Sequence, residues 1–323
     1  MKRLTDASVQ PLVLSLICFC CPGLFNALTS FTSGLADPAH IVAIFLVAAR
    51  VRHVRLALIL GSGGYVCYAA ALYHLQAPVI DASLEVYYAA CAALGLSAGF
   101  LWTAQGRMVM SYATSENQGS YLSTFWIIFN LGAAAGGFVS FALNFSREEL
   151  PAATTEHASG MMYAVFIILM SAGVLLAAFG IVDSDQVVRE DGTTPADNFR
   201  ANEPRKPWWT EIRRQLTAAR TEQVHTVVCL LPLFAYSNWF YTYHSFFNVT
   251  VFNMRSSGLA SSFCWLAQMG AAYAVGWALD TQVFKKTKRH QTRSPGSARV
   301  VASTVADVGV RSLILFALLA NAT

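Results

Sequence analysis

Apolar residues in this chain come in long unbroken runs, not in the one-face or alternating patterns of a water-soluble core. A helix that crosses a bilayer needs about 20 predominantly apolar residues. Runs of that length cover residues 11–31, 56–75, 86–112, 119–144, 160–182, 224–252 and 259–283. A shorter run, 41–49, makes only about 14 Å of helix at 1.5 Å per residue, half a membrane. Extending it backwards brings Asp37 and Pro38 into the span, a charge and a helix breaker. Residues 300–320 are interrupted by Asp307 and Arg311, each costing about 2.5–3.5 kcal/mol at a span's centre. Their i,i+4 spacing suits an ion pair, marking either a proton or substrate site or a marginal segment. The pattern predicts an all-α polytopic membrane protein with about eight or nine spans.

Polar stretches divide these runs into blocks. Residues 1–182 hold six spans, the second one shortened, residues 183–223 form a polar central loop, and residues 224–323 hold the remainder. Pro22 and Gly23 sit inside the first span and predict a kink, leaving carbonyls for a neighbour to satisfy. In the central loop, Asp191-Gly192 signals a turn. Further on, PWWTEIRRQLTAARTEQ (207–223) sets Trp208 and Trp209 ahead of Arg213, Arg214 and Arg220. Aromatic and basic residues together suit a helix lying in the membrane interface. The lipid bilayer is therefore the expected partner, and nucleic acid is not.

Composition agrees with the pattern. The 323 residues are 55% hydrophobic and 12% charged, about half the charged fraction of soluble domains. The basic N-terminus, MKRLTDASVQ, precedes a run too long for a signal-peptide core and without a small-residue cleavage site, so the run is a first span. The net charge of +4 matters through its placement. With the N-terminus cytoplasmic, 18 of the 22 Lys and Arg residues fall in the N-terminal tail, 50–55, 183–223 and 285–299, all on the cytoplasmic side. Arg147 and Arg255 fall outside, which is a strong positive-inside asymmetry. This orientation requires the chain to return to its starting side before Arg50, so the short second run must cross or re-enter. Sequons at Asn144, Asn248 and Asn321 then face outward, each too close to a membrane end to favour glycosylation. The seven cysteines all lie in apolar stretches. Cys18 and Cys21 have a C-x-x-C spacing, but without a second pair or a histidine cluster they are read as small apolar span residues.

Polar residues inside spans are expensive in lipid, so they face a cavity or another helix. In GLSAGFLWTAQGRMVMSY (95–112), Gly95, Gly99 and Gly106 share one side, a face on which a neighbouring helix can pack closely. Gln105 lies roughly a quarter-turn away, with Trp102 between, and either bonds a neighbouring helix or lines a cavity. The run 224–252 carries Ser237, Tyr241, His244 and Asn248 at spacings of 4, 3 and 4, one continuous stripe that suits a hydrated cavity. His244 is either a proton carrier or a satisfied structural histidine. Asn26 shares a face with Ser30 in the first span. The run 119–144 sets Trp126 and Asn130 ahead of Gly132, Gly136 and Gly137, the asparagine as interhelical glue and the glycines as packing positions. The chain has no Walker loop, H-E-x-x-H or G-x-S-x-G motif. Neither ATP-driven transport nor hydrolase chemistry is expected, and no catalytic residue, metal or cofactor is assigned.

These stretches resemble the uncoordinated-ninety-three-like family, atypical members of the major facilitator superfamily, and in particular its fungal branch. The likeness rests on CCPGLFNALT in the first span, LWTAQGRMVMSY in the fourth and GSYLSTFWIIFNLG in the fifth. It continues in VVREDGT of the central loop and SNWFYTYHSFFNVTVFNMRSSGLAS beyond it, covering most of residues 10–290. The resemblance implies a major facilitator-like bundle of twelve helices in two six-helix halves, with helices 1, 4, 7 and 10 around a central cavity. Residues 224–323 are then an incomplete second half. The expected cavity residues are Asn26, Trp102, Gln105, Asn130, Ser237, Tyr241, His244 and Asn248.

Gly276, Leu279 and Asp280, ahead of Lys285, Lys286 and Lys288, resemble a reduced loop motif of the superfamily. The loop after the second run has Arg50, Arg52 and Arg55 without the matching Gly and Asp. The fifth span resembles part of an antiporter motif but lacks its proline, so exchange is not inferred. TSFTSGLADPAHIVAIFL stands where the family carries a longer junction and a full second helix, and the likeness fades after about residue 290. A skipped exon and a premature end of the gene model would produce both departures. The expected function is transport of a small solute by alternating access. The alternatives are a non-transporting regulator or escort of channels or receptors, as some members are, and an inactive fragment.

Overall fold

The computed structural model describes residues 4–29, 53–76, 84–114, 117–143, 145, 160–184, 186–189, 192–195, 243–244, 246–248 and 250–280. Its helices fall on the predicted runs. Helix α1 (Gln10–Cys18) continues through a π-helical turn, Phe19–Gly23, into α2 (Leu24–Thr29). Then come α3 (Val54–Gln76), α4 (Leu84–Tyr112), α5 (Gln118–Leu143), α6 (Gly160–Gly180) and α7 (Met254–Asp280). Among the described residues, five helical stretches, Gln10–Leu28, Val54–His74, Val86–Tyr112, Gln118–Leu143 and Met161–Gly180, are long and apolar enough to cross a membrane. All of these belong to one compact unit, Met1–Phe199 with His244–Asp280; a second unit takes Arg200–Tyr243 and Thr281–Thr323. The short second run, the 207–223 helix, Ser237, Tyr241, Lys285, Lys286, the sequons at Asn144 and Asn321 and the run 300–320 lie outside the described residues.

The predicted kink in the first span takes the form of the π turn. Pro22 has no N–H to return to the Cys18 carbonyl, and the helix widens over Phe19–Gly23 instead of breaking. The turn is pressed onto α5, where a Cβ on Gly132 would overlap the Phe19 carbonyl. Leu14, Ile17, Leu24, Phe125, Phe129, Phe166 and Met170 form the buried core around it. Cys18, Cys20 and Cys21 are free thiols within this core, and Cys21 Sγ donates to the Met170 carbonyl at 3.5 Å.

Close backbone approach recurs at the other helix pairs, with one departure from expectation. Helices α3 and α4 meet where a Cβ on Gly61 would lie 2.7 Å from Leu101. The glycines that permit this are on α3, not α4. Gly99 is buried, while a Cβ on Gly95 or Gly106 would meet nothing within 4 Å among the described residues. On α5, by contrast, a Cβ on Gly136 would lie 2.6 Å from Ala27.

Helix α7 runs antiparallel along α5. Gly258 faces Gly137 so closely that a Cβ on Gly258 would lie 2.9 Å from the Gly137 carbonyl. The Ser262 hydroxyl lies 3.0 Å from the Ala134 carbonyl at the same level. α7 starts earlier than the hydrophobic run predicts, because Asn253 Oδ1 accepts the Ser256 N–H at 2.7 Å and caps a polar first turn. Arg255, expected in a loop, is therefore in that turn.

Polar contacts collect at one end of the bundle. Gln10, fully buried, donates from Nε2 to the carbonyls of Leu4 (2.8 Å) and Gly180 (3.1 Å) and accepts the Val182 N–H on Oε1 at 3.0 Å. Val188 pairs with the N-terminal segment, its N–H donating to the Thr5 carbonyl and its carbonyl accepting from Ala7, both at 2.9 Å. Arg55 Nε donates to the Ala178 carbonyl at 2.6 Å, and Arg189 Nε to the Ser111 carbonyl at 2.8 Å. The predicted turn is present at Gly192, whose φ of 79° is the left-handed conformation a glycine adopts freely. The starts of α1 and α3 thus lie at the same end of the bundle. Gly258→Leu is expected to lower the melting temperature of the detergent-purified chain sharply, since it forces side-chain atoms into the Gly137 backbone. Overpacking of this kind costs about 1–3 kcal/mol or more, and a variant melting like the wild type would contradict the seam.

Candidate functional site

The polar residues singled out in the spans separate into two groups. His244 and Asn248 form the first: Asn248 Nδ2 lies 3.1 Å from His244 Nε2, one helical turn away, with Asn248 1% exposed. The neutral ring can accept this bond, so the amide holds the imidazole in one orientation. Asn26 is half-buried on α2, and Gln105 is buried on α4 at 9% exposure.

The second group joins α4, α5 and α7. Trp102 of α4 stacks on Trp126 of α5 with ring centroids 6.3 Å apart and planes at 27°. Phe129 meets both rings edge-on, at 5.6 Å and 5.4 Å. Aromatic pairs of this kind contribute about 0.5–1.5 kcal/mol beyond burial, so the Trp126 indole is held firmly. One turn further along α5, Asn130 is 2% exposed, and its Oδ1 has no hydrogen-bond partner among the described residues. Trp126 and Asn130 both line a cavity of about 300 Å³ between α5 and α7. Gln268, Ala272 and Val275 of α7 form the facing wall, with Ser123 towards one end.

Gln268 Nε2 donates to Cys264 Sγ at 3.9 Å, a weak acceptor. Gln268 and Ser123 were not singled out from the sequence. The signal was present in both, a polar side chain within an apolar run, as it was for Gln105.

At the end of the cavity towards Ser123, Asp280 closes the α5–α7 contact. Its carboxylate accepts the Gly119 N–H at 2.9 Å and the Ser120 N–H at 2.6 Å, and the Ser120 hydroxyl as well. The first N–H groups of a helix have no partner within it, and its dipole places partial positive charge there. Asp280, expected only as part of a loop motif, is thus a cap supplied by one helix to another. Lys285 and Lys286 of the same motif lie outside the described residues.

The unpartnered amide and the cap lead to opposite stability effects. Asn130→Leu is expected to raise the melting temperature of the ligand-free chain, because an unsatisfied buried polar atom costs about 1–3 kcal/mol. Asp280→Ala is expected to lower it by the roughly 0.5–2 kcal/mol of a lost cap, with Asp280→Asn in between. Thermal melts of the three variants in one detergent check both signs.

A family profile described as "Ion channel regulatory protein UNC-93" matches residues 39–254. Among curated proteins, the chain is 34% identical over 306 residues to an UNC93-like protein of Schizosaccharomyces pombe, covering 88% of this chain and 56% of that protein. It is 32% identical over 300 residues to UNC93-like protein 1 of Arabidopsis thaliana, covering 86% of this chain and 60% of the relative. An uncharacterized membrane protein of S. pombe is 26% identical over 305 residues, with 89% of this chain and 59% of that protein covered. The chain thus spans less than two thirds of the length of the relatives it matches.

Proposed function

Since the chain belongs to the UNC-93 family as a multi-pass integral membrane protein, we propose that it is the larger part of a major facilitator-like transporter that moves a small solute by alternating access. The observation that carries this reading is the α5–α7 contact. A helix from beyond the central loop lies along one from the first block, on a glycine seam, with a largely apolar cavity beside it that holds Asn130 and Gln268, and a non-covalent cap at its end. Seams of small residues let helices pack closely without interlocking large side chains, and alternating access needs two packed arrangements of comparable energy. The Asp280 cap then holds the closed arrangement at its own end. In this reading that end is cytoplasmic, because Arg55 and Arg189 gather there with the N-terminal segment. Asn26, Trp102, Gln105, Asn130, His244 and Asn248 are the proposed solute-pathway residues, with Ser237 and Tyr241 completing the stripe.

The matched family description favours a second reading, in which the protein regulates an ion channel without moving solute. Phe263, Tyr273 and Trp277, each at least 60% exposed on α7, would then be docking residues.

Uptake into proteoliposomes distinguishes the two. Removing a cap worth about 1 kcal/mol shifts the closed-to-open ratio about fivefold, so Asp280→Ala is expected to change the uptake rate by a similar factor. Co-purification with a channel, no flux above empty liposomes and loss of the channel in Trp277→Ala would favour the regulator instead.

A further inference from the structure

The geometry points to a binding site between α5 and α7 for a small, neutral, flat molecule bearing an N–H or O–H donor, anchored by Asn130 and stacked on Trp126. The site rests on the transport reading for its purpose, while the binding itself rests on the following contacts.

Asn130 lines the cavity, is 2% exposed, and its buried amide acceptor Oδ1 has no hydrogen-bond partner among the described residues. Buried amide oxygens in folded proteins are rarely left unpaired, because dehydration without a partner is costly. A donor brought by a ligand meets this acceptor when the amide turns about its last side-chain bond towards the cavity. Trp126 lies one turn before Asn130 and lines the same cavity. Its ring is held by the stack on Trp102 and the edge contact with Phe129, so it presents a preorganised flat surface. Gln268 adds an amide on the opposite helix, held among the described residues by its weak sulfur contact. Ala272 and Val275 complete an apolar wall.

The lining also sets the charge and size of the ligand. Among the described residues the cavity wall carries no charged side chain. An ion entering it would lose hydration with no counter-charge to replace it, so the ligand is neutral. A volume of about 300 Å³ stands at the lower end of cavities that hold small organic molecules. Water alone would satisfy Asn130 but gain nothing from the indole and the apolar wall facing it.

The test uses the full 323-residue chain in lipid nanodiscs. Equilibrium dialysis compares indole, phenol and benzamide with N-methylindole, anisole and N,N-dimethylbenzamide, and binding to empty discs is subtracted. In at least one pair the donor-bearing member is expected to bind about tenfold more tightly than its methylated counterpart, the difference one buried hydrogen bond makes. Asn130→Leu is expected to abolish that preference, and Trp126→Leu to weaken both members of the pair alike. Thermal melts establish that each variant folds. Should Asn130→Leu fail to fold, Asn130→Ala takes its place with the same expectation. No binding above empty discs, equal binding within every pair, or a preference that survives loss of the Asn130 amide would each overturn the site. Donor-selective binding without uptake would overturn the transport reading and leave the site standing. Uptake indifferent to Asn130 would do the reverse.

Discussion

Helices in a bilayer gain little from hydrophobic burial against each other, because lipid tails are as apolar as the side chains they replace. What remains is close packing, and in this protein it depends on how near two backbones can come. Helix α5 is where that constraint concentrates. It receives the first span through Gly132 and Gly136 and α7 through Gly137. The π turn at Phe19–Gly23 belongs to the same arrangement, because the widened backbone left by Pro22 is the part pressed onto Gly132. Proline and glycine, which act separately in most helices, here shape the two sides of one contact.

Close packing alone does not determine how helices are placed along their axes, and the polar contacts at one end supply that. Gln10 is fully satisfied by three backbone groups from two separate segments. It therefore ties the N-terminal segment to the end of α6 at a fixed height. Asp280 does the same for α5 and α7. These groups sit near helix ends, where unpaired backbone N–H and C=O groups need partners. The bundle is thus packed through small residues along its length and registered through polar residues at one end.

Much of this was legible in the chain. Span positions follow from length and hydropathy, properties each helix carries by itself, and the described helices begin or end within a few residues of the expected runs. The exception, the start of α7 at Met254, comes from a side-chain cap at Asn253 that a hydropathy pattern does not register. Contact faces were less legible. Gly95 and Gly106 have the spacing of a packing face but meet nothing among the described residues, where Gly61 on the partner helix makes the close approach. A glycine spacing says that a helix can be approached; which neighbour approaches is decided by tertiary geometry. The same limit applies to Gln268, which gains meaning only because α7 sets it beside the cavity lined by Trp126 and Asn130.

The two halves of that pattern bear on each other. A seam built of glycines and serines brings two backbones close without large side chains interlocking across it. The Asp280 cap adds a polar tie at one end, and a bond to Asn130 would add another further along, where the amide oxygen has no partner among the described residues. A molecule bound between Trp126 and Gln268 would strengthen the middle of the α5–α7 contact without touching the cap. Occupancy and capping then act on the same pair of helices from separate positions, so each changes the energy against which the other works. That coupling follows from the placement of Asn130 and Asp280 on one contact, whether the family's activity in this chain is flux or the regulation of a partner.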